Sequence, residues 1–131
     1  MGNTNKKEEV EIKIKEVDVY TKGTSGKCNF VLSYDDMLEP HVRKLDYYDD
    51  FKSEVLAIII ALDYLEKRDF NKINVYSESE KAVNYIYDCI FYRNKDDFML
   101  KKILYLVSNK SIKFYYKELK ENNFIKTMLI Y

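Results

Sequence analysis

One proline, three glycines and two cysteines are all that this chain of 131 residues contains of those types, and each scarcity excludes something. So little proline and glycine leaves small room for long flexible loops, and no low-complexity linker interrupts the chain. Cys28 and Cys89 stand far apart, without the close spacing of a metal knuckle or a disulfide framework, which suits a reducing cytoplasm. The longest apolar run, residues 55–62, falls far short of the ~20 residues that a membrane helix needs. No basic-then-apolar leader pattern opens the sequence, so the expectation is a cytoplasmic protein with no membrane partner.

What is present describes a folded globular protein. Hydrophobic residues make up 47% and charged residues 34%, a balance that disordered chains lack. The length fits one domain over residues 1–131, with residues 1–9, polar and mixed in charge, as a frayed start. Net charge is zero but unevenly spread: residues 1–92 carry 13 Lys and Arg against 18 Asp and Glu, and residues 93–131 carry nine against four. That asymmetry fits a basic face for phosphate, or two halves that attract each other.

Periodicity orders the elements. Alternation over residues 10–20 predicts a strand with one slip, and residues 22–27, with Gly23 and Gly26, a turn. Residues 28–34 and 42–48 give two more strands, so residues 10–48 form an antiparallel meander interrupted at Asp35 and Asp36. Asp49 or Asp50 caps a helix over 51–68. That helix is apolar nearly all round at Ile58, Ile59, Ile60, Ala61 and Leu62, which predicts burial against a sheet with a second helix touching it. A strand at 73–76, helices at 80–91 and 96–109, a strand at 111–119 and a short helix at 123–131 complete the order βββ-α-β-α-α-β-α.

Four local motifs accompany this order. They are Thr21-Lys22-Gly23-Thr24 at the end of the first strand and Ser53-Glu54 near the start of the long helix. Val75-Tyr76-Ser77-Glu78-Ser79 ends the fourth strand, and Asn123-Phe124-Ile125-Lys126-Thr127-Met128-Leu129 lies at the end of the chain. Together they resemble the ribonuclease H family, of a type 1-like form with a degenerate site, over nearly the whole chain. The resemblance implies an α/β fold with a five-stranded mixed sheet ordered 3-2-1-4-5 and helices on both faces. Members place an acidic residue in each motif. Here the first position is Lys22, Glu54 and Glu78 keep the second and third, and Thr127 stands at the fourth once a gap is allowed.

The resemblance also implies chemistry. Family members use two magnesium ions, roughly 3.5–4 Å apart, to activate water and stabilise the leaving oxygen. Such hard cations need several oxygen ligands. A cation at Lys22, a hydroxyl at Thr127 and the longer Glu78 in place of an aspartate leave at most Glu54 and Glu78 as ligands. The expectation is a vestigial site with no cofactor, in which the Lys22 ammonium replaces metal as counter-ion to Glu54 or Glu78. Asp18 shares the strand face of Lys22 and is a weaker substitute ligand. Blander readings stand beside these: Glu54 as a first-turn acid, Glu78 as a neighbour of a helix cap, Lys22 as a solvated turn lysine, and His41 as a surface residue of a connecting loop. Tyr47, Tyr48, Tyr115 and Tyr116 could stack on bases, or alternate one buried and one exposed.

Three functions from different classes follow. One is a degenerate domain that binds nucleic acid, such as an RNA–DNA hybrid, or supports an assembly. Its basic contacts would be Lys95, Lys101, Lys102, Lys117 and Lys120. Another is an active nuclease that uses magnesium or manganese on an altered site. The third is a protein-interaction or dimerisation domain.

Overall fold

The structure, a computed structural model, describes residues 15–46, 48–92, 98–108 and 110–130. The expected frayed start, the 10–14 portion of the first strand, Tyr47, Lys95 and the helix start at Asp96 and Asp97 lie outside the described residues.

Five strands, β1 (Glu16–Thr24), β2 (Lys27–Tyr34), β3 (Met37–Lys44), β4 (Lys72–Ser77) and β5 (Ser111–Tyr116), form one sheet in the order β3-β2-β1-β4-β5. The first three make an antiparallel meander, and β4 and β5 run parallel to β1. Among the described residues the helices are α1 (Asp50–Glu66), α2 (Glu80–Tyr92), α3 (Phe98–Val107) and α4 (Phe124–Leu129).

The meander is tighter than its hydrophobic pattern suggests. Ser25 and Gly26, at φ 49° and 87°, form a two-residue turn, so β1 runs on through Lys22 to Thr24. Asp35 and Asp36, at φ 48° and 59°, form a second turn of this kind, and β3 begins five residues before the expected start. Paired left-handed residues match the twist of the flanking strands, and aspartate tolerates that conformation better than most side chains. Pro40 sits within β3, which is an edge strand, the one place in a sheet where a missing N–H costs little.

Alternation along the strands sorts residues onto two faces. Val17 and Val19 of β1 and Phe30 and Leu32 of β2 join Val55, Ile58, Leu62 and Leu65 of α1 in the main core. The second helix and the third pack beside α1, which explains why α1 is apolar on more than one side. The opposite face carries a smaller cluster of Val31, Leu119 and Leu129, where α4 covers β1 and β2. Asp49 caps α1 by accepting from the Lys52 N–H (2.8 Å), and Asn123 caps α4 through the N–H groups of Ile125 and Lys126.

Gly23 sets the distance between β1 and α1. A Cβ placed there would lie 1.9 Å from the Ser53 carbonyl oxygen and 2.4 Å from the Glu54 nitrogen. Backbone meets backbone, so no side chain can swing aside. The Gly23→Ala variant should therefore lose about 3 kcal/mol or more of stability, at or above the usual ceiling for overpacking. Urea denaturation checks this; a loss under about 0.5 kcal/mol, the level of an ordinary surface change, contradicts the close approach.

A second polar constraint ties β3 to the end of α1. Glu39 accepts from Tyr34 Oη (2.7 Å), Tyr64 Oη (2.9 Å) and Arg68 Nη1 (3.2 Å), and shares a 2.6 Å hydrogen bond with His41 Nε2. The His41 ring stacks on Phe30 at 4.7 Å, so His41 is a half-buried strand residue and not the surface loop residue expected. Burial works against the ionised Glu39 carboxylate, but the hydrogen bonds from Arg68, Tyr34, His41 and Tyr64 outweigh it and bring its pKa from 4.5 to about 2. A carboxylate held low in the folded state contributes stability above pH 4.5, lost as pH falls towards 2. Denaturation midpoints of the protein and its Glu39→Gln variant should differ most near neutrality and converge as pH falls through that window. A gap that stays constant contradicts the assignment.

Candidate functional site

The strand ends of β1 and β4 meet the starts of α1 and α2, and here the four motifs converge. β4 ends at Ser77, opposite Thr21, so β1 continues past its parallel neighbour with that side unpaired by strand. Glu54 fills the opening. Its Oε1 accepts from the Gly23 N–H at 2.6 Å. Burial pushes the Glu54 carboxyl above the usual carboxylate range, while the Gly23 N–H and the Lys22 charge pull it down and Glu78 and Asp50 add to the rise. The neighbouring turn is held in the same way: Ser25 N–H donates to Asp50 Oδ1 (3.1 Å), and Gly26 N–H to Ser53 Oγ (2.7 Å). The start of α1 thus supplies three acceptors to the first hairpin.

Glu78 is committed elsewhere. Its Oε2 accepts from the Leu119 N–H (2.9 Å) and from Lys126 Nζ (3.2 Å), and Lys126 also donates to the Leu119 carbonyl. The bond to Glu78, set against partial desolvation, holds the Lys126 ammonium above its ordinary pKa, and Glu121 at 3.5 Å adds to this. Glu78 lies beside a helix cap as expected, the cap itself being Ser79, whose Oγ accepts from the Ala82 N–H.

The expected ion pair of Lys22 is not formed at contact distance. Glu78 has a lysine partner, but it is Lys126 of α4. Among the described residues no carboxylate lies within the 4.0 Å contact distance of Lys22 Nζ, and its charge reaches Glu54 only through space. The physical reason is strand parity. Lys22 projects with Asp18 and Tyr20 from the face that α4 covers, while Glu54 approaches from α1 on the other face. Lys126 was visible within the last motif, but its pairing with Glu78 spans 48 residues and no local pattern announces it.

The remaining candidates are scattered. Thr127 is exposed and its hydroxyl donates to the Asn123 carbonyl at 3.4 Å. Asp18 accepts from Asn74 Nδ2 (3.0 Å), as does Glu16 (2.6 Å), and lies with them lower on the sheet. Among the described residues no three His, Cys, Asp or Glu side chains converge as they would around a metal ion. Cys28 is buried against Ser53, and burial, partly offset by Arg43, pushes its thiol up to about 11, so it offers no nucleophile at neutral pH.

The basic candidates divide between two faces. Lys101 is exposed on α3, and Lys102 pairs with Asp63 of α1 at 2.8 Å. Lys117 lies on the opposite face, with its ammonium 5.4 Å from the centre of the Tyr76 ring, and Lys120 is exposed. On that face Tyr20, Tyr76 and Tyr115 stack in a row across β1, β4 and β5, with ring centres 4.9 and 5.2 Å apart. Tyr115 and Tyr116 are both exposed (39% and 42%), against the expected alternation, because β5 is the sheet edge.

Comparison with known proteins places this geometry. No protein-family model and no curated protein sequence matches the chain. Solved structures do. A ribonuclease H1 of the halophilic archaeon Halobacterium salinarum is 17% identical, with a TM-score of 0.59 over 76% of this chain and 85% of that one. The N-terminal ribonuclease H domain of a Mycobacterium tuberculosis protein, solved as a fusion with maltose-binding protein, is 15% identical, with a TM-score of 0.68 over 86% and 95%. Those likenesses agree with the sheet order β3-β2-β1-β4-β5 and with helices on both of its faces. The chain is a domain with the ribonuclease H-like fold.

Proposed function

We propose that this domain binds nucleic acid, an RNA–DNA hybrid or a related duplex, without hydrolysing it. The observation that carries the reading is the fate of the two remaining acids. Glu54 serves the Gly23 N–H and Glu78 serves Lys126 and the Leu119 N–H. Each carboxylate has one oxygen engaged by protein donors in contacts that close the fold. Two magnesium ions would require ligands that Lys22 cannot supply, and would meet the Lys126 ammonium 3.2 Å from Glu78 Oε2. The residues present do not fit such a metal pair.

The nucleic-acid side of the proposal draws on other support. The two structural neighbours are by name a ribonuclease H1 and a ribonuclease H domain, and this chain retains their fold. Its face beside α4 carries lysines together with a row of tyrosines, a combination that suits phosphate and ring contacts. Zero net charge provides no long-range attraction, so affinity should be modest and sensitive to salt.

A labelled RNA–DNA hybrid tests both parts. Incubation with excess protein and magnesium or manganese should leave it intact, whereas anisotropy at low salt should detect binding. Neutralising about three phosphates should give a log–log salt slope near −2.7. Metal-dependent cutting that vanishes in Glu54→Gln would favour an active nuclease on an altered site. Absence of binding at low salt would leave the protein-interaction reading.

A further inference from the structure

We propose that the cavity beside α4, walled by Lys22, Thr24, Lys27, Asn29, Leu129 and Ile130, is a site for a phosphate-type oxyanion held by Lys22 and Lys27. The cavity has a volume of about 290 Å³. That is at the small end for ligand pockets and suits a phosphate with its ester substituent better than a stacked base.

The strand register builds it. In the first hairpin Lys22 stands opposite Asn29 and Thr24 opposite Lys27, and Lys27 in turn stands opposite Lys44 of β3. Residues directly opposed across a ladder project from the same face, so Lys22, Thr24, Lys27 and Lys44 share one side of the sheet. Like charges directly opposite, as at Lys27 and Lys44, destabilise a sheet unless something of opposite sign lies between or above them. Among the described residues no carboxylate comes within 4.0 Å of any of these three ammonium groups. Glu54 attracts Lys22 through space, but its contact is with the Gly23 N–H, and the carboxylate of Glu78 is taken by Lys126.

The floor is fixed. Asn29 Nδ2 donates to the Leu129 carbonyl at 2.6 Å, which ties the end of α4 to β2. Thr24 is exposed at the rim, and its hydroxyl adds a donor that can turn towards an oxygen. Two ammonium groups and a hydroxyl around a small cavity suit a tetrahedral, multiply charged oxyanion. The proposal rests on the nucleic-acid reading only for the source of that phosphate, which could equally be a free phosphate or phosphate monoester.

The test is a nitrogen-15 NMR titration of the full chain with inorganic phosphate at constant ionic strength, and a separate titration with an RNA–DNA hybrid. Phosphate should shift the amide signals of Gly23, Thr24 and Lys27 in a saturable manner. The Lys22→Gln/Lys27→Gln double variant should weaken phosphate binding at least fivefold, and Lys67→Gln, an exposed lysine at the end of α1, should not. Both variants are at positions outside the core, and their spectra report whether they fold. Shifts that are absent, or that persist unchanged in the double variant, overturn the site. Phosphate shifts that the double variant abolishes, with no hybrid binding in either protein, uphold the site and remove the nucleic-acid reading. Hybrid binding that survives in the double variant alongside unchanged phosphate shifts does the reverse.

Discussion

The close approach of β1 to the first turn of α1 is the constraint on which the rest depends. It exists because residue 23 has no side chain, and it brings the Glu54 carboxylate onto the Gly23 N–H where β4 has already ended. Ser53 and Asp50 extend the same contact to the first hairpin turn. The Gly23 N–H and the nearby Lys22 charge offset part of the cost of burying the Glu54 carboxylate, which burial still pushes above the usual carboxylate range. Glu54 thus holds sheet and helix together.

The second carboxylate closes the other side. Glu78, at the end of β4, receives the Leu119 N–H and the Lys126 ammonium, and so fastens the segment after β5 and the start of α4 to the strand ends. Lys126 is the lysine of this region that is paired, with Glu78 and Glu121. Lys22 and Lys27 face a small cavity on the α4 side with no carboxylate in contact among the described residues. The cavity is therefore lined by two lysines, where a metal-binding cleft needs carboxylates.

Much of this was legible in the residues. The order of elements and the broad burial of α1 followed from periodicity, the sheet order from the resemblance that the four motifs carry, and Glu54 and Glu78 stand at adjoining ends of neighbouring elements as those motifs imply. The shortfalls have particular causes. β3 starts earlier than the hydrophobic pattern predicts because Asp35 and Asp36 adopt left-handed conformations that make a two-residue turn. The partner of Glu78 could not be read because it depends on how a six-residue helix docks from 48 residues away. His41 follows the single proline of the chain, a loop signal, and the contacts that shelter its ring come from Phe30 of β2 and Tyr64 of α1. Long-range side-chain geometry leaves no periodic trace.

The central claim is that Glu54 and Glu78 are structural acceptors and not ligands of a divalent metal. Titration with manganese, followed by paramagnetic broadening of amide signals, tests it without reference to any activity. The account predicts that Gly23, Glu54, Glu78 and Leu119 broaden no more than exposed acidic positions such as Asp69. Selective, saturable broadening centred on Gly23, Glu54 and Glu78, with loss of the Lys126 contact, would contradict it.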